Sequence, residues 1–353
     1  MNNHLTLWIP GLRPAKQLAS ELDQLLRQLS RQLPKQELPQ LKNLNLLLSR
    51  ADRISVTDII KNEYIREQLA GSVSQHNSWP MAQWRRAIED IENKPEGKHW
   101  LCADPVYIHP DRSQALLYAH EELEIQFAEA KALADLINQH FKDEPWQLHV
   151  GSSHRWYIRL DKAFDLTTKP LRHIKGLNVF EHLPAGNDSR YWQQCMNEVQ
   201  MLLHSCEINQ QREEQGIIPI NSLWLWGYGS LEEYENLPWN HIYSDDAVLN
   251  GLGLFGGSVI DRLPASADNV VKDAGEVLVY YDKLHALLQQ QDICGWLSEL
   301  QLLENDWFNP LIKRLKNNPG MQLTLLMDNG EAYQLTVKNL KRWWHRSNKN
   351  NLF

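Results

Sequence analysis

One apolar run constrains the fold more than any other feature of this chain of 353 residues. Residues 220–229 read INSLWLWGYG, in which four alternating leucines and tryptophans lead into two glycines. A continuous apolar run of this length is typical of a strand that is buried on both faces and feeds a loop. Because side chains alternate along a strand, Trp224 and Trp226 share one face, and we expect both indoles to fill a core.

The order of patterns along the chain predicts an α/β protein with more than one domain. After residue 185 apolar strands alternate with helical patterns, which favours a mostly parallel sheet. Residues 81–185 instead show short strands around one amphipathic helix, which indicates an inserted α+β domain. The elements predicted are strands at 100–108, 115–119, 146–149 and 156–160, the helix of the insertion at 124–141, and a leucine-spaced helix at 16–33. We predict a core built from 1–80 and 186–353, so that the tryptophan strand belongs to the core sheet.

Composition and charge argue against several classes of partner. The formal net charge is −8 and the isoelectric point is about 6.0, which opposes a broad contact with nucleic acid or with an anionic membrane. No apolar run is long enough to cross a membrane and no secretory signal pattern is present, so we expect a cytoplasmic protein. The four cysteines form no C-x-x-C pair, so we expect reduced thiols and no zinc bound to cysteine.

Acidic and histidine side chains follow several of the predicted strands. Asp245 and Asp246 precede a predicted helix, Asp282 and His285 follow a second strand, and Asp328 follows a third. Carboxylate and imidazole groups at strand ends can bind a hard or borderline divalent metal. The same residue types also form turns and helix caps, and the sequence leaves both interpretations open.

Three segments carry a resemblance to a known family. Residues 212–229, REEQGIIPINSLWLWGYG, resemble archaeal-type cofactor-independent phosphoglycerate mutases, which place an arginine, a glycine and a proline or alanine before asparagine ahead of an apolar strand that ends in two glycines. Residues 99–105, HWLCADP, and 155–160, RWYIRL, are similar to a proteobacterial side branch described as regulatory proteins. The resemblance implies the alkaline phosphatase superfamily fold, a doubly wound and mostly parallel sheet with a smaller inserted α+β domain.

The chain departs from this family at positions that the resemblance assigns to catalysis. Active members end their first strand in Asp-Gly, and the aspartate binds metal, whereas this chain has Pro10 there. Residues 13–16 offer no serine or threonine nucleophile. The family's Asp-x-x-Gly-His motif is shortened to the segment 282–285, and its later Asp-His becomes Asp328-Asn329. Phosphoryl transfer needs both a nucleophile and metals, so we expect a degenerate, non-catalytic protein without a cofactor.

Three further interpretations stay open at this stage. The chain could bind a phosphorylated small molecule through Arg155, Arg159, Arg212 and Asn221, or these arginines could pair with acidic side chains. It could be an active metal-dependent mutase or phosphatase, with manganese or zinc held by the strand-end residues named above. It could also bind a protein partner through aromatic residues such as those at 343–344.

Overall fold

A computed structural model provides the structure of this chain. It describes residues 3–12, 39–70, 79–89, 99–111, 114–174, 178–229, 237–271, 275–327 and 330–342. Four features of the sequence analysis lie outside the described residues: the helix predicted at 16–33, the nucleophile position at 13–16, Asp328 and the tryptophans at 343–344. No described helix is long and apolar enough to span a membrane.

Strands and helices alternate over most of the described chain. The strands are β1 (Asn3–Trp8), β2 (Asp52–Ser55), β3 (His99–Asp111), β4 (Gln114–Ala119), β5 (Trp146–Ser152), β6 (Arg155–Leu160), β7 (Ser222–Trp226), β8 (His241–Tyr243), β9 (Val259–Asp261), β10 (Glu276–Tyr280), β11 (Met321–Leu326) and β12 (Glu331–Thr336). The helices are α1 (Lys42–Arg50), α2 (Val56–Ile59), α3 (Glu63–Ala70), α4 (Met81–Ala87), α5 (Phe127–His140), α6 (Ser189–His204), α7 (Glu207–Glu214), α8 (Ala247–Phe255), α9 (Lys283–Gln289), α10 (Ile293–Leu303), α11 (Asn309–Asn317) and α12 (Val337–Leu340).

Contacts divide the chain into two compact units, each with its own sheet. The parallel unit comprises Met1–Val73, Tyr234–Asp246 and Gly253–Phe353, and the antiparallel unit comprises Ser74–Glu233 and Ala247–Leu252. The insertion was predicted at residues 81–185, whereas the antiparallel unit continues to Glu233 and includes α6, α7 and β7.

The parallel unit contains a seven-stranded sheet in the order β2-β12-β11-β1-β10-β8-β9. The strands from β11 to β9 run parallel to their neighbours, while β12 is antiparallel to both β11 and β2. The central strands are strongly apolar, and they pack on a core that includes the fully buried Trp296, Trp307 and Phe308. The prediction of an α/β fold is confirmed, and the sheet is mixed because the two pairs that β12 forms are antiparallel. Parallel order brings the carboxyl ends of β8, β10, β1 and β11 to one edge.

The antiparallel unit is organised around the long strand β3. Residues 99–102 of β3 pair with β6 and residues 106–111 pair with β4, while β6 pairs in turn with β5. The strands predicted for this region are confirmed, and the predicted helix corresponds to α5. That helix starts at Phe127, after Gln126, whose backbone N–H donates to the Glu129 carboxylate at 3.2 Å. This bond satisfies one of the amides that a helix start leaves unpaired.

The tryptophan strand β7 lies in the antiparallel unit, so the prediction that it belongs to the core sheet was wrong. It pairs antiparallel with β3, with Leu225 opposite Ala103 and Leu223 opposite Pro105. A strand buried on both faces has the same apolar pattern in either sheet, so the pattern could not identify the neighbouring strand. The expectation for the indoles is confirmed, because Trp224 and Trp226 are both buried.

Candidate functional site

The edge of the parallel sheet brings together the strand ends at which the sequence predicted chemistry. Ile9, Pro10 and Gly11 follow β1, and Gly11 adopts a left-handed conformation with φ of 78°. A Cβ atom on Gly11 would lie 2.6 Å from the backbone nitrogen of His285, at the start of α9. The Gly11 carbonyl accepts a 3.0 Å hydrogen bond from the Trp296 indole. Only glycine therefore fits at position 11, because both the φ angle and the space exclude a side chain.

Asp245, Asp246, Asp282 and His285, the described candidate metal ligands, follow strands that end at this edge, and they lie in turns or at a helix start. Asp245 Oδ1 accepts from the Leu263 amide at 3.4 Å, and the Asp246 amide donates to the Ser244 hydroxyl at 2.9 Å. Asp282 occupies the residue before α9. His285 lies within α9, with its Nε2 at 2.9 Å from Gln289 Nε2. Within the described ranges no three His, Cys, Asp or Glu side chains come together as a metal site. The described candidate ligands therefore do not form a set that fits a metal ion.

Arg212 links two helices within the antiparallel unit. Its Nη1 donates to both carboxylate oxygens of Glu129 at 2.7 and 2.8 Å, and its Nε donates to the Ile218 carbonyl at 2.9 Å. Its Nη2 donates to the Leu123 carbonyl. The side chain is buried, and it connects α7 to the start of α5. All three guanidinium nitrogens donate hydrogen bonds within the chain, which favours the alternative interpretation of Arg212, pairing with an acidic side chain.

Asn221 and Arg155 are also held by neighbouring groups. Asn221 accepts from the Ile108 amide at 2.8 Å and donates to the Ile108 carbonyl at 2.9 Å, which continues the β3–β7 ladder by one side chain. The Arg155 guanidinium binds the buried carboxylate of Glu89, with Nη2 at 3.2 Å from Oε2. Its pKa is raised, chiefly by the hydrogen bond to Glu89. Glu89 also accepts from the Tyr157 hydroxyl at 3.0 Å.

A buried ion pair that the sequence analysis did not predict lies at the centre of the same sheet face. Arg85 on α4 donates to both oxygens of Asp104 on β3, at 2.7 and 2.6 Å. The Trp226 indole donates to Asp104 at 2.8 Å, and the Trp156 amide donates to it at 3.4 Å. The Arg85 guanidinium carbon lies 4.8 Å from the Trp226 ring centroid and 4.7 Å from that of Tyr157. A carboxylate within the apolar run HWLCADP was the available signal, because a buried acid needs a cationic partner.

Arg159 is the predicted site residue whose contacts leave it most open to a ligand. Its Nη2 donates to Asp161 at 3.4 Å, and Asp161 is 57% exposed. Arg159 lies directly opposite Trp100 in the β3–β6 ladder. Two further basic residues, Arg86 and His149, contact the same indole and were missed from the sequence. We call Arg86, His149 and Arg159 the basic cluster.

Comparisons with known proteins match the middle of the chain to one family. The family model described as 2,3-bisphosphoglycerate-independent phosphoglycerate mutase matches residues 105–209. A probable 2,3-bisphosphoglycerate-independent phosphoglycerate mutase of Geobacter sulfurreducens is 30% identical over 205 residues, which cover 54% of this chain and 51% of the relative. The corresponding protein of Methanosarcina barkeri is 25% identical over 142 residues, which cover 38% of this chain and 35% of the relative. This chain thus matches about half the length of these relatives, or less.

A solved structure from Pyrococcus horikoshii supports the same fold over most of the chain. It has a TM-score of 0.52 and 13% sequence identity, and the superposition covers 94% of this chain and 86% of that protein. At this identity the likeness concerns the fold alone. Together with the family match, it confirms the resemblance to cofactor-independent phosphoglycerate mutases predicted from the sequence.

Proposed function

We propose that this chain, a relative of the cofactor-independent phosphoglycerate mutases, has lost phosphoryl transfer and serves to bind a phosphorylated small molecule, in a regulatory role. The observation that carries the proposal is Pro10 at the carboxyl end of β1. The resemblance assigns this position to a metal-binding aspartate, and a pyrrolidine ring has no atom that can coordinate a cation. As part of the same proposal, the parallel unit has the doubly wound arrangement of the alkaline phosphatase superfamily.

The neighbourhood of Pro10 gives the proposal its chemical content. Phosphoryl transfer is catalysed mainly by positioning and by charge stabilisation, which metals supply in this superfamily. β1 lies between β10 and β11 in the sheet, so its carboxyl end is the central position of the edge. A metal at this edge would be held jointly by a ligand on β1 and by carboxylates that follow the neighbouring strands. Without the central ligand, those carboxylates lack the partner with which they would hold the metal. The parts of the edge that remain, Gly11 and the start of α9, are explained by packing.

An active metal-dependent mutase or phosphatase is the alternative. Asp245 and Asp246 follow β8 and Asp282 follows β10, which is its neighbour in the sheet, so carboxylates from two adjacent strands do reach one edge. Manganese or zinc would suit oxygen ligands combined with an imidazole such as His285. Because the described residues form no three-ligand cluster, we derive no catalytic step through a metal.

Turnover and metal content distinguish these two functions. The full chain, purified without chelator, is assayed for interconversion of 2- and 3-phosphoglycerate and for phosphatase activity, with added manganese or zinc, alongside elemental analysis. We expect no turnover above the background of a preparation that carries Asp282→Asn. Near-stoichiometric metal together with turnover that this substitution abolishes would show an active enzyme and overturn the proposal.

A protein-binding role is a second alternative, and one observation favours it. Leu254, Phe255 and Val259 are 45%, 47% and 58% exposed, which is unusual for large apolar side chains close together in sequence. Val259 belongs to β9, the edge strand of the parallel unit's sheet. If this patch holds a partner in place of the small molecule, the isolated chain will show no saturable binding of phosphorylated acids.

A further inference from the structure

The Trp100 indole forms a platform for the basic cluster in the antiparallel unit. The Arg86 guanidinium carbon lies 4.0 Å from the centroid of the Trp100 ring, a distance typical of a cation–π contact. The His149 ring centroid lies 5.6 Å from the same indole. Arg159 is directly opposite Trp100 on β6, and His149 is opposite Tyr157, two residues from Arg159. One helix and two strands thus bring three basic side chains around one ring.

Two buried nitrogen atoms of this cluster lack hydrogen-bond partners among the described residues. Arg159 Nε and His149 Nε2 are buried, and neither has a hydrogen-bond partner in the part of the chain that the structure describes. Among the same residues no carboxylate forms an ion pair with Arg86, while the only one paired with Arg159 is Asp161, at 3.4 Å. Buried polar groups in native proteins are nearly always satisfied by the chain, by water or by a ligand, so these nitrogens are available to a group from outside the chain.

Neighbouring arginines on the same sheet face show what a purely structural arginine looks like here. Arg85 is matched by the buried Asp104, with two hydrogen bonds, and Arg155 is matched by the buried Glu89. Arg86 and Arg159 lie beside these pairs without a buried acid of their own among the described residues. The basic cluster therefore has an excess of positive charge that its own surroundings do not offset.

His149 is affected both by burial and by this positive charge. Burial, followed by the charges of Arg159 and Arg86, lowers the pKa of His149 to about 4. The imidazole is therefore neutral at pH 7, and a neutral imidazole has one N–H to donate. Burial also lowers the pKa of Arg86. Negative charge placed between these groups would reverse both effects, since an opposite charge within a few ångströms favours the protonated form.

We infer that Arg86, Arg159 and His149 form a binding site for a small oxyanion, a phosphate or carboxylate group, over the Trp100 ring. Two guanidinium groups can each give paired N–H donors to such an anion, and the imidazole adds a third direction. The inference rests on the proposed binding role and makes that role specific. It does not depend on the loss of turnover, so the two can fail separately.

Titration calorimetry at low salt tests the site with three probes: inorganic phosphate, acetate and 3-phosphoglycerate. We expect saturable binding of at least one probe, with Kd increased about tenfold or more in Arg86→Gln and in Arg159→Gln, because each substitution removes charge-assisted hydrogen bonds. Arg190→Gln is the matched control, since Arg190 is an exposed arginine on α6 of the same unit. It removes the same charge and should leave Kd unchanged. The relative affinities of the probes show whether phosphate, carboxylate or both are recognised.

Two results would overturn the inference. One is equal binding by the parent protein and by folded Arg86→Gln and Arg159→Gln variants, which would place the anion elsewhere. The other is absence of binding of every probe up to about 10 mM.

If a variant does not fold, the His149 ring signal in the unmodified protein, assigned with His149→Gln, gives the answer by NMR. A shift on addition of the probe supports the site, and an unchanged signal contradicts it. If the protein shows neither binding nor turnover, the proposed binding role is wrong. If it shows both binding and turnover, only the proposal that catalysis has been lost is wrong.

Discussion

Replacing Asp104 by asparagine tests whether the antiparallel unit depends on its buried ion pair. Both side chains are almost fully buried, at 3% exposure for Arg85 and 1% for Asp104. The carboxylate accepts two hydrogen bonds from Arg85 and one from the Trp226 indole. Asparagine keeps the shape, but it loses the charge, and its amide nitrogen would face an N–H donor. Removing one partner of a buried pair costs about 3 to 5 kcal/mol, because the other charge stays buried and uncompensated.

Hydrogen exchange measures this cost where it occurs. Amides of β3 and β7 should open more often by a factor of about 150 to 5000, which corresponds to the same free energy. Asp161→Asn is the matched control, since Asp161 is 57% exposed and pairs with Arg159 at 3.4 Å. We expect it to change the free energy of opening by less than about 1 kcal/mol. A cost below about 1 kcal/mol for Asp104→Asn would refute the reasoning. A second check replaces both partners, Arg85→Met with Asp104→Leu, which should cost less than Asp104→Asn alone.

Two other perturbations follow from the geometry of single residues. Gly11→Ala should lower the melting temperature far more than Gly330→Ala in the same unit, because both residues have positive φ but only a Cβ on Gly11 meets backbone, 2.6 Å from the His285 nitrogen; equal shifts in a thermal melt would contradict this. His149 should titrate near pH 4 by NMR. Because its folded pKa lies below the unfolded value of about 6.5, the unfolded chain binds more protons between these values, and the contribution of this histidine to stability should fall as the pH drops from about 6.5 to 4. Melts of His149→Gln should lack this component, and an unchanged pH profile would be evidence against it.

The elements of the antiparallel unit were predictable because they depend on local patterns. Amphipathic spacing located α5, and short apolar stretches located β3 to β6. The partner of β7 was not predictable, because pairing joins Leu225 to Ala103 across more than a hundred residues of chain and leaves no local mark. For the same reason the sequence could name Arg159 but not its neighbours, since the basic cluster takes one residue each from α4, β5 and β6.

The fate of the other arginines shows the same limit. Arg212 was as good a candidate for anion binding as Arg159, since both stand in segments similar to a phosphoglycerate mutase branch. The difference lies in Glu129, which is 83 positions away from Arg212 in the sequence and 2.7 Å away in space. A basic residue type shows that charge is available, and only the positions of the acids show whether that charge is already used.

Packing and chemistry are separable at the end of β1. The backbone of α9 leaves no space for a side chain at position 11, so the fold requires glycine there independently of any catalytic function. Position 10 holds a proline in this structure, so β1 and the turn after it form without an aspartate there. The basic cluster is the opposite case. Its side chains pack on the Trp100 ring, but this packing leaves two buried nitrogen atoms without hydrogen-bond partners within the described chain. Residues that the fold does not explain are those for which a ligand is the better explanation, and here they lie on α4, β5 and β6, in the antiparallel unit rather than at the edge that carries Pro10.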